Sequence, residues 1–218
     1  MNYKKILKVV GVVAVATVFS IGCSEKPNDG EGSHVNTPTA PDNPNNSGGR
    51  GGGKGNKIGN YRTVTIGTQK WMAENLDNAV AGSVCYGNFS YNCTKYGRLY
   101  TWEAAKTACP SGWRLPTNAE WTMLVSFVGG SAGTKLKSKT GWNNDGNGTD
   151  AHGVSALPGG IGSNDGYFFY VGNEGHWWSA TGFDTSLAWS RSMRYDNENV
   201  VSGYDFKSNL LSVRCVQD

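Results

Sequence analysis

The pattern of polar and apolar positions becomes regular only after residue 60. Thr63–Ile66 alternates polar and apolar residues, and Gln69–Met72 follows as a second short run. Gly67–Thr68 lies between the two runs, and a two-residue turn that begins with glycine is typical of a β-hairpin, because glycine readily adopts the positive φ angles of such turns. This segment is therefore predicted to form a hairpin.

Two segments have the propensity or spacing of helices. Leu99–Ala108 is rich in helix-forming residues and stops before Pro110. A second helix is predicted to begin at the capping box Thr117–Glu120 and to end at Gly129–Gly130. Between these ends the apolar residues recur at i, i+3, i+4 and i+7, at Trp121, Leu124, Val125 and Val128.

The second half of the chain is predicted to contain loops and short strands. Gly and Asn are frequent from Gly141 to Gly175, and three β-like runs follow at Trp177–Ala180, Leu187–Tyr195 and Leu210–Val216. Within these runs we expect Trp178, Leu187 and Trp189 to face the core. The predicted fold class is α+β, with two helices packed on short antiparallel sheets and a loop-rich second half.

The N-terminus has the pattern of an export signal. Lys4, Lys5 and Lys8 precede the apolar run Val9–Ile21, which is shorter than the roughly 20 residues that a membrane-spanning helix needs. The run ends at Ser20-Ile21-Gly22-Cys23, which resembles a bacterial lipobox. Residues 1–22 are therefore predicted to be a lipoprotein signal peptide and Cys23 the lipidated residue. An ordinary signal peptide with a chance cysteine and a short membrane anchor are the alternatives.

The predicted location is the cell envelope. Ser24 follows Cys23, and in the bacterial sorting logic that this motif resembles, serine at that position favours the outer membrane, whereas Asp would favour retention in the inner membrane. The sequence leaves open whether the protein faces the periplasm or the outside.

Residues 23–60 have the composition of a flexible tether. The segment from Ser24 to Asn60 contains four of the seven prolines, nine glycines and no aromatic residue, so it cannot bury enough apolar surface to offset the entropy of ordering. All eight Trp residues lie in residues 61–218, which are predicted to form one domain.

The positive net charge belongs to the export signal. The chain has 20 basic and 17 acidic residues. Without Lys4, Lys5 and Lys8 the basic residues also number 17. The mature protein is therefore neutral, which argues against nucleic acid as a partner.

Four cysteines follow Cys23, and an even number in an exported domain predicts two disulfides with three possible connectivities. Cys85 and Cys93 are eight residues apart, which favours a local Cys85–Cys93 bridge and leaves Cys109–Cys215. A four-cysteine zinc site is the alternative, but the spacings lack the C-x₂-C element that is typical of such sites.

Several motifs in residues 61–218 resemble the Fibrobacter succinogenes major paralogous domain. They occur in the same order as in that family, at Tyr96–Trp102, Cys109–Pro116, Gly153–Gly160, Trp177–Thr181 and Ser212–Val216. The resemblance implies a C-type-lectin-like fold, related to the formylglycine-generating enzyme and to the variable receptor proteins of diversity-generating retroelements. Arg114–Trp121 is similar to a signature of that superfamily. The fold implies a first-to-last disulfide, which agrees with Cys109–Cys215.

The residues favour a protein without catalytic activity. The generating enzyme, as the resemblance implies, holds copper with a close cysteine pair in its C-terminal part, whereas this chain has only Cys215 after Cys109. Metalloprotease, hydrolase and phosphate-loop motifs are absent from the sequence. His176 and the pair Asp150 and His152 are more typical of loops or cores than of acid–base sites. An oxygenase or hydrolase on the same scaffold is the alternative.

Calcium is the one cofactor for which the sequence offers ligands. Oxygen-bearing side chains recur within one loop, at Asn143, Asp145, Asn147 and Asp150, and calcium prefers such ligands. The bidentate Glu that closes a typical calcium loop is missing, so a plain Asn/Gly turn is the alternative. The proline-containing triplet of sugar-binding C-type lectins is also absent.

The C-terminal loops are the predicted binding surface. In the variable receptors that the chain resembles, this region presents the binding face, and aromatic and Asn/Asp side chains there would supply contact area and hydrogen bonds. The candidate ligand-binding residues are Phe183, Asp184, Tyr195, Asn197, Asn199, Tyr204, Asp205, Phe206 and Asn209. The expected function is a lipid-anchored binding module for a polysaccharide or a surface protein, and a structural envelope protein without a small ligand is a further alternative.

Overall fold

The computed structural model describes the backbone of Lys57–Ile58 and all of residues 61–218. The predicted signal peptide, the lipidation site Cys23 and nearly all of the predicted tether lie outside the described residues. Among the described residues, no helix combines the length and the hydropathy that are needed to cross a membrane.

Four α-helices and thirteen strands make up the described part of the chain. The helices are α1 (Ser90–Tyr96), α2 (Trp102–Ala108), α3 (Asn118–Val128) and α4 (Ala132–Leu136), and a 3₁₀ turn spans Tyr86–Asn88. The strands are β1 (Lys57–Ile58), β2 (Tyr61–Ile66), β3 (Gln69–Met72), β4 (Ser83–Val84), β5 (Leu99–Tyr100), β6 (Trp113–Arg114), β7 (Ile161–Gly162), β8 (Phe168–Phe169), β9 (Glu174–Gly182), β10 (Leu187–Arg194), β11 (Val201–Phe206), β12 (Leu211–Ser212) and β13 (Val216–Gln217).

The strands form three small sheets. One has the strand order β1-β2-β3-β13-β6, the second has the order β11-β10-β9-β12-β5-β4, and the third is the pair β7-β8. Neighbouring strands are antiparallel except for β9 and β12, which are parallel. The fold is therefore mixed α+β with several small, mainly antiparallel sheets, as predicted.

Local sequence signals explain the elements that were predicted correctly. Strands β2 and β3 pair as the expected hairpin, and Gly67 in the turn has a φ angle of +59°. Helix α3 begins at a complete capping box, in which Thr117 and Glu120 bond each other's backbone N–H groups, and it ends at Gly129, which has a φ angle of 75°. Both elements are confirmed.

The prediction of two helices was wrong in three respects. Leu99–Tyr100 forms the strand β5, so the first predicted helix begins only at Trp102, with the Thr101 side chain as its cap. Helices α1 and α4 were not predicted. They contain seven and five residues, which is too short for helical periodicity to appear in the sequence.

Strand β9 separates two apolar clusters. Trp177 is 1% exposed and packs in a cluster with Trp71 and Trp121, whereas Trp178 is fully buried in a cluster with Met72 and Tyr100. Successive residues of a strand point to opposite faces, so adjacent tryptophans supply both cores. The prediction that Trp178 is a core residue is confirmed.

The predicted inward face of β10 was wrong. Leu187 and Trp189 are only partly buried, whereas Ala188 and Ser190 are buried. The pairing of β10 with β9 shifts register between Ala188 and Ser190. The small side chains of Ala188 and Ser190 therefore face the interior of the domain, and Trp189 lies on the outer face of the sheet.

Both predicted disulfides are present. Cys85–Cys93 closes a loop around the start of α1, with a Cα–Cα distance of 4.9 Å. Cys109–Cys215 joins the end of α2 to the segment between β12 and β13 across 106 residues of sequence, with a Cα–Cα distance of 6.0 Å.

Candidate functional site

Four aromatic side chains form an exposed surface on the outermost strands of the larger sheet. Trp189 pairs with Tyr204, and Leu187 pairs with Phe206, in the register of β10 and β11. Cross-strand partners and residues two positions apart lie on one face of a sheet. Tyr204, Phe206 and Trp189 therefore share a face, which Phe183 joins from the end of β9. We call Phe183, Trp189, Tyr204 and Phe206 the aromatic row.

Three rings of the aromatic row, those of Phe183, Trp189 and Tyr204, contact one another, and the row is partly open to solvent. The Phe183 ring is stacked on the Tyr204 ring, with 4.6 Å between their centroids, and it meets the Trp189 ring edge-on at 5.3 Å. Phe183, Tyr204 and Phe206 are 47%, 55% and 59% exposed. Large aromatic residues that are half exposed and mutually packed form a contiguous apolar patch, which is uncommon on a surface without a partner.

The loop before β10 holds Phe183 in place through hydrogen bonds. One carboxylate oxygen of Asp184 accepts bonds from the backbone N–H groups of Ser186 and Leu187, at 2.7 Å each. The Lys207 ammonium donates to the backbone carbonyls of Asp184 and Thr185, at 2.7 and 3.1 Å. These bonds hold the loop in one conformation, and one side-chain oxygen of Asp184, a predicted ligand-binding residue, is engaged in the turn.

Asp205 and Asn209, also predicted as ligand-binding residues, do not belong to the aromatic row. Asp205 alternates with Tyr204 and Phe206 along β11, so its side chain lies on the opposite face. Its carboxylate accepts a hydrogen bond from the Ser190 hydroxyl at 2.9 Å. Burial raises the pKa of Asp205, while the hydrogen bonds from Ser190 and Asn209 act in the opposite direction.

The remaining predicted ligand-binding residues, Tyr195, Asn197 and Asn199, lie at the other end of β10. The seven-residue step from Leu187 to Arg194 corresponds to roughly 20 Å of strand. The Asn197 side chain accepts a hydrogen bond from the Asn199 N–H at 2.8 Å and so stabilises its own turn. The structure therefore divides the predicted binding residues into two separate groups.

A buried lysine organises this second group. Lys137 is 3% exposed, and its ammonium donates to the backbone carbonyls of Arg194, Tyr195 and Asn197 at 3.0, 3.4 and 3.2 Å. Burial lowers the pKa of Lys137, while the charge of Asp196 raises it. The sequence offered no signal for this contact because more than 50 residues separate the lysine from the turn.

Hydrogen bonds occupy the side-chain oxygens of two of the four predicted calcium ligands, Asn147 and Asp150. The Asn147 side-chain oxygen accepts from the Trp142 N–H at 3.0 Å, and the two Asp150 oxygens accept from the N–H and the hydroxyl of Ser155 at 2.6 Å each. The Asn143 amide donates to Asn173. Among the described residues, no group of three or more His, Cys, Asp or Glu side chains is placed to hold a metal. Calcium binding stays a prediction, which calorimetric titration with Ca²⁺ tests.

The two histidines of the domain lie in separate surroundings. His176 is within 2.9 Å of the Glu174 carboxylate, and this hydrogen bond lowers the pKa of Glu174 while burial opposes it. The His152 ring lies edge-on against Phe127, with 6.3 Å between centroids, and Asp150 bonds Ser155 instead.

The prediction missed a second exposed aromatic surface. It consists of Tyr86, Phe89 and Tyr91 in the disulfide loop and Tyr167–Tyr170 at the β7-β8 hairpin. The Tyr86 and Phe168 rings are 5.2 Å apart, and those of Phe89 and Tyr91 are 5.7 Å apart. The four consecutive aromatic residues at 167–170, inside a polar loop, are the sequence signal that could have revealed it.

Comparison with known protein families supports the resemblance found in the sequence. The family model described as the Fibrobacter succinogenes major domain matches residues 64–217. Searches with the chain matched no curated protein and no solved structure. The match covers more than half of the chain, so this protein belongs to the Fibrobacter succinogenes major domain family.

Proposed function

We propose that this protein is a lipid-anchored binding module of the cell envelope, without catalytic activity, that recognises a polysaccharide or a surface protein through its aromatic row. The observation that carries the proposal is the packed cluster of Phe183, Trp189 and Tyr204, together with the half-exposed rings of Phe183, Tyr204 and Phe206, on the outermost strands.

The chemistry of the aromatic row suits recognition by stacking and by apolar contact. Aromatic rings supply rigid contact area at a small cost in conformational entropy, and Tyr adds a hydroxyl for hydrogen bonding. Phe183 is already held by a hydrogen-bonded loop, so little ordering is needed on binding. The seven tryptophans other than Trp189 are buried. Phe183, Tyr204 and Phe206 would therefore supply most of the area that contacts a ligand.

The charges near the aromatic row are committed to internal contacts. Lys207 bonds two carbonyls, and Asp184 bonds two N–H groups of its own turn. Residues 61–218 carry 13 basic and 13 acidic residues. A ligand of this surface would therefore be recognised without net charge attraction, and its affinity should depend weakly on salt.

The proposed attachment to the membrane rests on the lipobox and the tether. Acylation of Cys23 would anchor the chain in the outer membrane. Because Lys57–Ile58 pairs with β2 as strand β1, the tether is shorter than predicted, and the 33 residues at positions 24–56 would give a root-mean-square reach of roughly 29–34 Å. The binding domain would thus move within about this distance of the lipid surface.

The C-type-lectin-like fold is also part of the proposal. It is supported by the disulfide Cys109–Cys215, which links an early helix to the last segment of the chain. The proposal of a non-catalytic module is supported by the cysteines of the described residues, because all four are paired in disulfides. Copper chemistry of the generating-enzyme type requires free thiolates.

A binding screen tests the function. The full chain carrying Cys23→Ser, which removes the lipidated residue, would be applied to arrays of glycans, plant polysaccharides and surface proteins. Phe183→Ala/Tyr204→Ala should weaken any specific binding at least tenfold. Phe89→Ala/Tyr91→Ala is the matched control, because it removes another stacked and exposed aromatic pair, and it should leave binding unchanged.

The alternatives give different results in the same screen. Absence of any retained ligand would favour a structural envelope protein. Equal losses in the two double variants would show that the aromatic row is not the binding surface. Stoichiometric copper bound through thiols, or turnover of an arrayed substrate, would overturn the binding-module proposal in favour of an enzyme.

A further inference from the structure

The Cys85–Cys93 disulfide lies against a positively charged side chain. One terminal nitrogen of Arg98, Nη1, is 3.5 Å from Cys93 Sγ and 3.7 Å from Cys85 Sγ. The guanidinium is held there by Ser83, whose hydroxyl and carbonyl accept its other N–H groups at 3.0 and 3.1 Å. Arginine stays protonated at all physiological pH values, so a fixed positive charge faces both sulfurs.

The second disulfide has a different environment. Cys215 is fully buried, and Cys109, which is partly exposed like Cys85, packs against the apolar cluster that contains Trp113 and Val213. Burial in apolar surroundings disfavours the thiolate, whereas a neighbouring cation favours it. The two disulfides of one small domain therefore differ in the feature that controls thiol–disulfide exchange.

The two sulfurs of the local disulfide also differ in access. Cys85 is partly exposed, whereas Cys93, on helix α1, is only 7% exposed. An incoming thiolate therefore reaches Cys85 Sγ more readily. The sulfur that leaves is then Cys93 Sγ, which is the one nearer to Arg98.

We propose that Cys85–Cys93 is a reducible site of thiol–disulfide exchange, in which Arg98 stabilises the Cys93 thiolate as the leaving group. The oxidant in this reaction is the protein disulfide, and the reductant is a dithiol. One thiolate of the dithiol attacks Cys85 Sγ, the Cys85–Cys93 bond breaks, and its electron pair remains on Cys93 Sγ beside Arg98. The second thiol of the dithiol then attacks the mixed disulfide and releases Cys85. The reductant becomes a disulfide, and the protein gains two electrons and two protons as two thiols.

Reduction of Cys85–Cys93 would loosen the second aromatic surface and leave the remaining domain folded. The disulfide closes the loop that carries Tyr86, Phe89 and Tyr91. Once it opens, the loop loses its covalent closure and retains only non-covalent contacts, among them the bond from the Asn92 amide to the Tyr86 carbonyl at 2.9 Å, backbone bonds at Asn88 and Phe89, and the contact between the Tyr86 and Phe168 rings. Cys109–Cys215 continues to join α2 to the C-terminal segment. The redox state would therefore control the order of one surface reversibly, independently of the aromatic row and of its proposed ligand.

Reduction kinetics test the inference. The full chain carrying Cys23→Ser would be treated with dithiothreitol at neutral pH, quenched with an alkylating agent at intervals, and analysed by peptide mass spectrometry. Cys85 and Cys93 should be alkylated on the order of a hundredfold faster than Cys109 and Cys215. Arg98→Gln should slow the reduction of Cys85–Cys93 on the order of tenfold, because a leaving thiol of higher pKa departs more slowly.

Arg62→Gln is the control variant, since it removes an arginine that pairs with Glu74 at the surface, and it should leave the rate unchanged. Equal rates for the two disulfides, or an Arg98→Gln rate equal to that of the unmodified chain, would overturn the inference.

A second measurement needs no variant at Arg98. In the reduced protein, the rate of Cys93 alkylation by iodoacetamide should reach half of its maximum at a pH clearly below 8.5, the pKa of a free cysteine. A half-maximum at pH 8.5 or above would contradict the proposed role of Arg98, even if Arg98→Gln failed to fold.

Discussion

Arg214 donates a hydrogen bond from Nη2 to the side-chain oxygen of Asn75 at 2.8 Å, so a buried cation is bound by a neutral amide. Arg214 is 1% exposed, and its other acceptors are the backbone carbonyls of Met72 and Val154. Burial lowers the pKa of Arg214 to about 10, which still leaves it protonated at neutral pH. The charge is thus stabilised by dipoles inside the protein.

Asn75 is the residue on which this arrangement depends. Its side-chain oxygen also accepts a hydrogen bond from the Trp177 indole at 2.9 Å, and its amide donates to the Tyr96 carbonyl at 2.9 Å. The side chain therefore links the C-terminal segment, strand β9 and helix α1.

Asn75→Ala should destabilise the domain by about 3–5 kcal/mol, because it leaves a buried charge and a buried indole N–H without their shared acceptor. Urea unfolding at pH 7 measures the loss. Asn78→Ala is the control, since the side chain of exposed Asn78 makes one hydrogen bond, to the Ala108 carbonyl, and its loss should cost about 1 kcal/mol. Equal losses for the two variants would contradict the role assigned to Asn75.

Glu120 should make the stability of the domain depend on acid pH. Its carboxylate accepts bonds from Arg114 at 2.8 and 2.6 Å and from the Thr117 N–H at 2.8 Å. The bonds from Arg114, and secondarily those from Thr117, lower the pKa of Glu120 from 4.5 to about 2. Because the pKa is lower in the folded state, the stabilisation is present above pH 4.5 and is lost as the pH falls towards 2.

Glu120→Gln should therefore lower the free energy of unfolding by about 1–2 kcal/mol at pH 7, a modest value because solvent screens the pair with Arg114. The difference should nearly vanish at pH 2, which urea unfolding at both pH values would show. Glu103→Gln, at a side chain that is 70% exposed, should have little effect at either pH. A Glu120→Gln deficit of the same size at pH 2 would rule out the carboxylate as its cause.

The two disulfides should contribute unequally to stability. The chain-entropy model gives about 4.7 kcal/mol for a loop as long as that closed by Cys109–Cys215 and about 2.5 kcal/mol for the short loop of Cys85–Cys93. The double variants Cys109→Ala/Cys215→Ala and Cys85→Ala/Cys93→Ala should differ accordingly in guanidinium unfolding. A greater loss from the short loop would show that native contacts, and not chain entropy, dominate.

Lys137→Met should loosen the turn at residues 194–199. The substitution keeps an unbranched apolar side chain of similar length but removes the ammonium that bonds three carbonyls. We expect a loss of about 2–3 kcal/mol and faster hydrogen exchange at Tyr195–Asn199. Lys139→Met, at an exposed lysine two residues away, should change neither. Unchanged exchange in the turn of Lys137→Met would contradict the prediction.

Cys23→Ser should release the protein from membranes, because it removes the residue that is proposed to carry the acyl chains. Fractionation of cells that express each form would measure the membrane-bound share. Ser24→Ala is the control and should remain bound. If the Cys23→Ser protein stayed in the membrane fraction, an uncleaved apolar anchor would replace the lipobox interpretation.

The sequence predicted those elements whose signals are local. The capping box at Thr117, the glycine turn at Gly67 and the short spacing of Cys85 and Cys93 each lie within a few residues. Strand β5 could not be predicted, because Leu99 and Tyr100 are extended through pairing with two other strands, β4 and β12, and β12 lies more than 100 residues later.

The candidate site was predicted in part for a similar reason. Phe183, Tyr204 and Phe206 belong to one surface, but only the register of β10 with β11, which the sequence did not reveal, places Trp189 beside them. The roles of Lys137 and Arg98 depend on contacts with distant or buried partners, and neither residue stands out in the sequence.

The position of strands β12 and β13 has a consequence for the order of events in folding. Strand β12 lies between β9 and β5 in one sheet, and β13 lies between β3 and β6 in the other. Both strands belong to the last eight residues of the chain. Because a chain is synthesised from its N-terminus, neither sheet can be completed until β12 and β13 have been made. Truncation before residue 211 would therefore remove a strand from each of the two sheets at once.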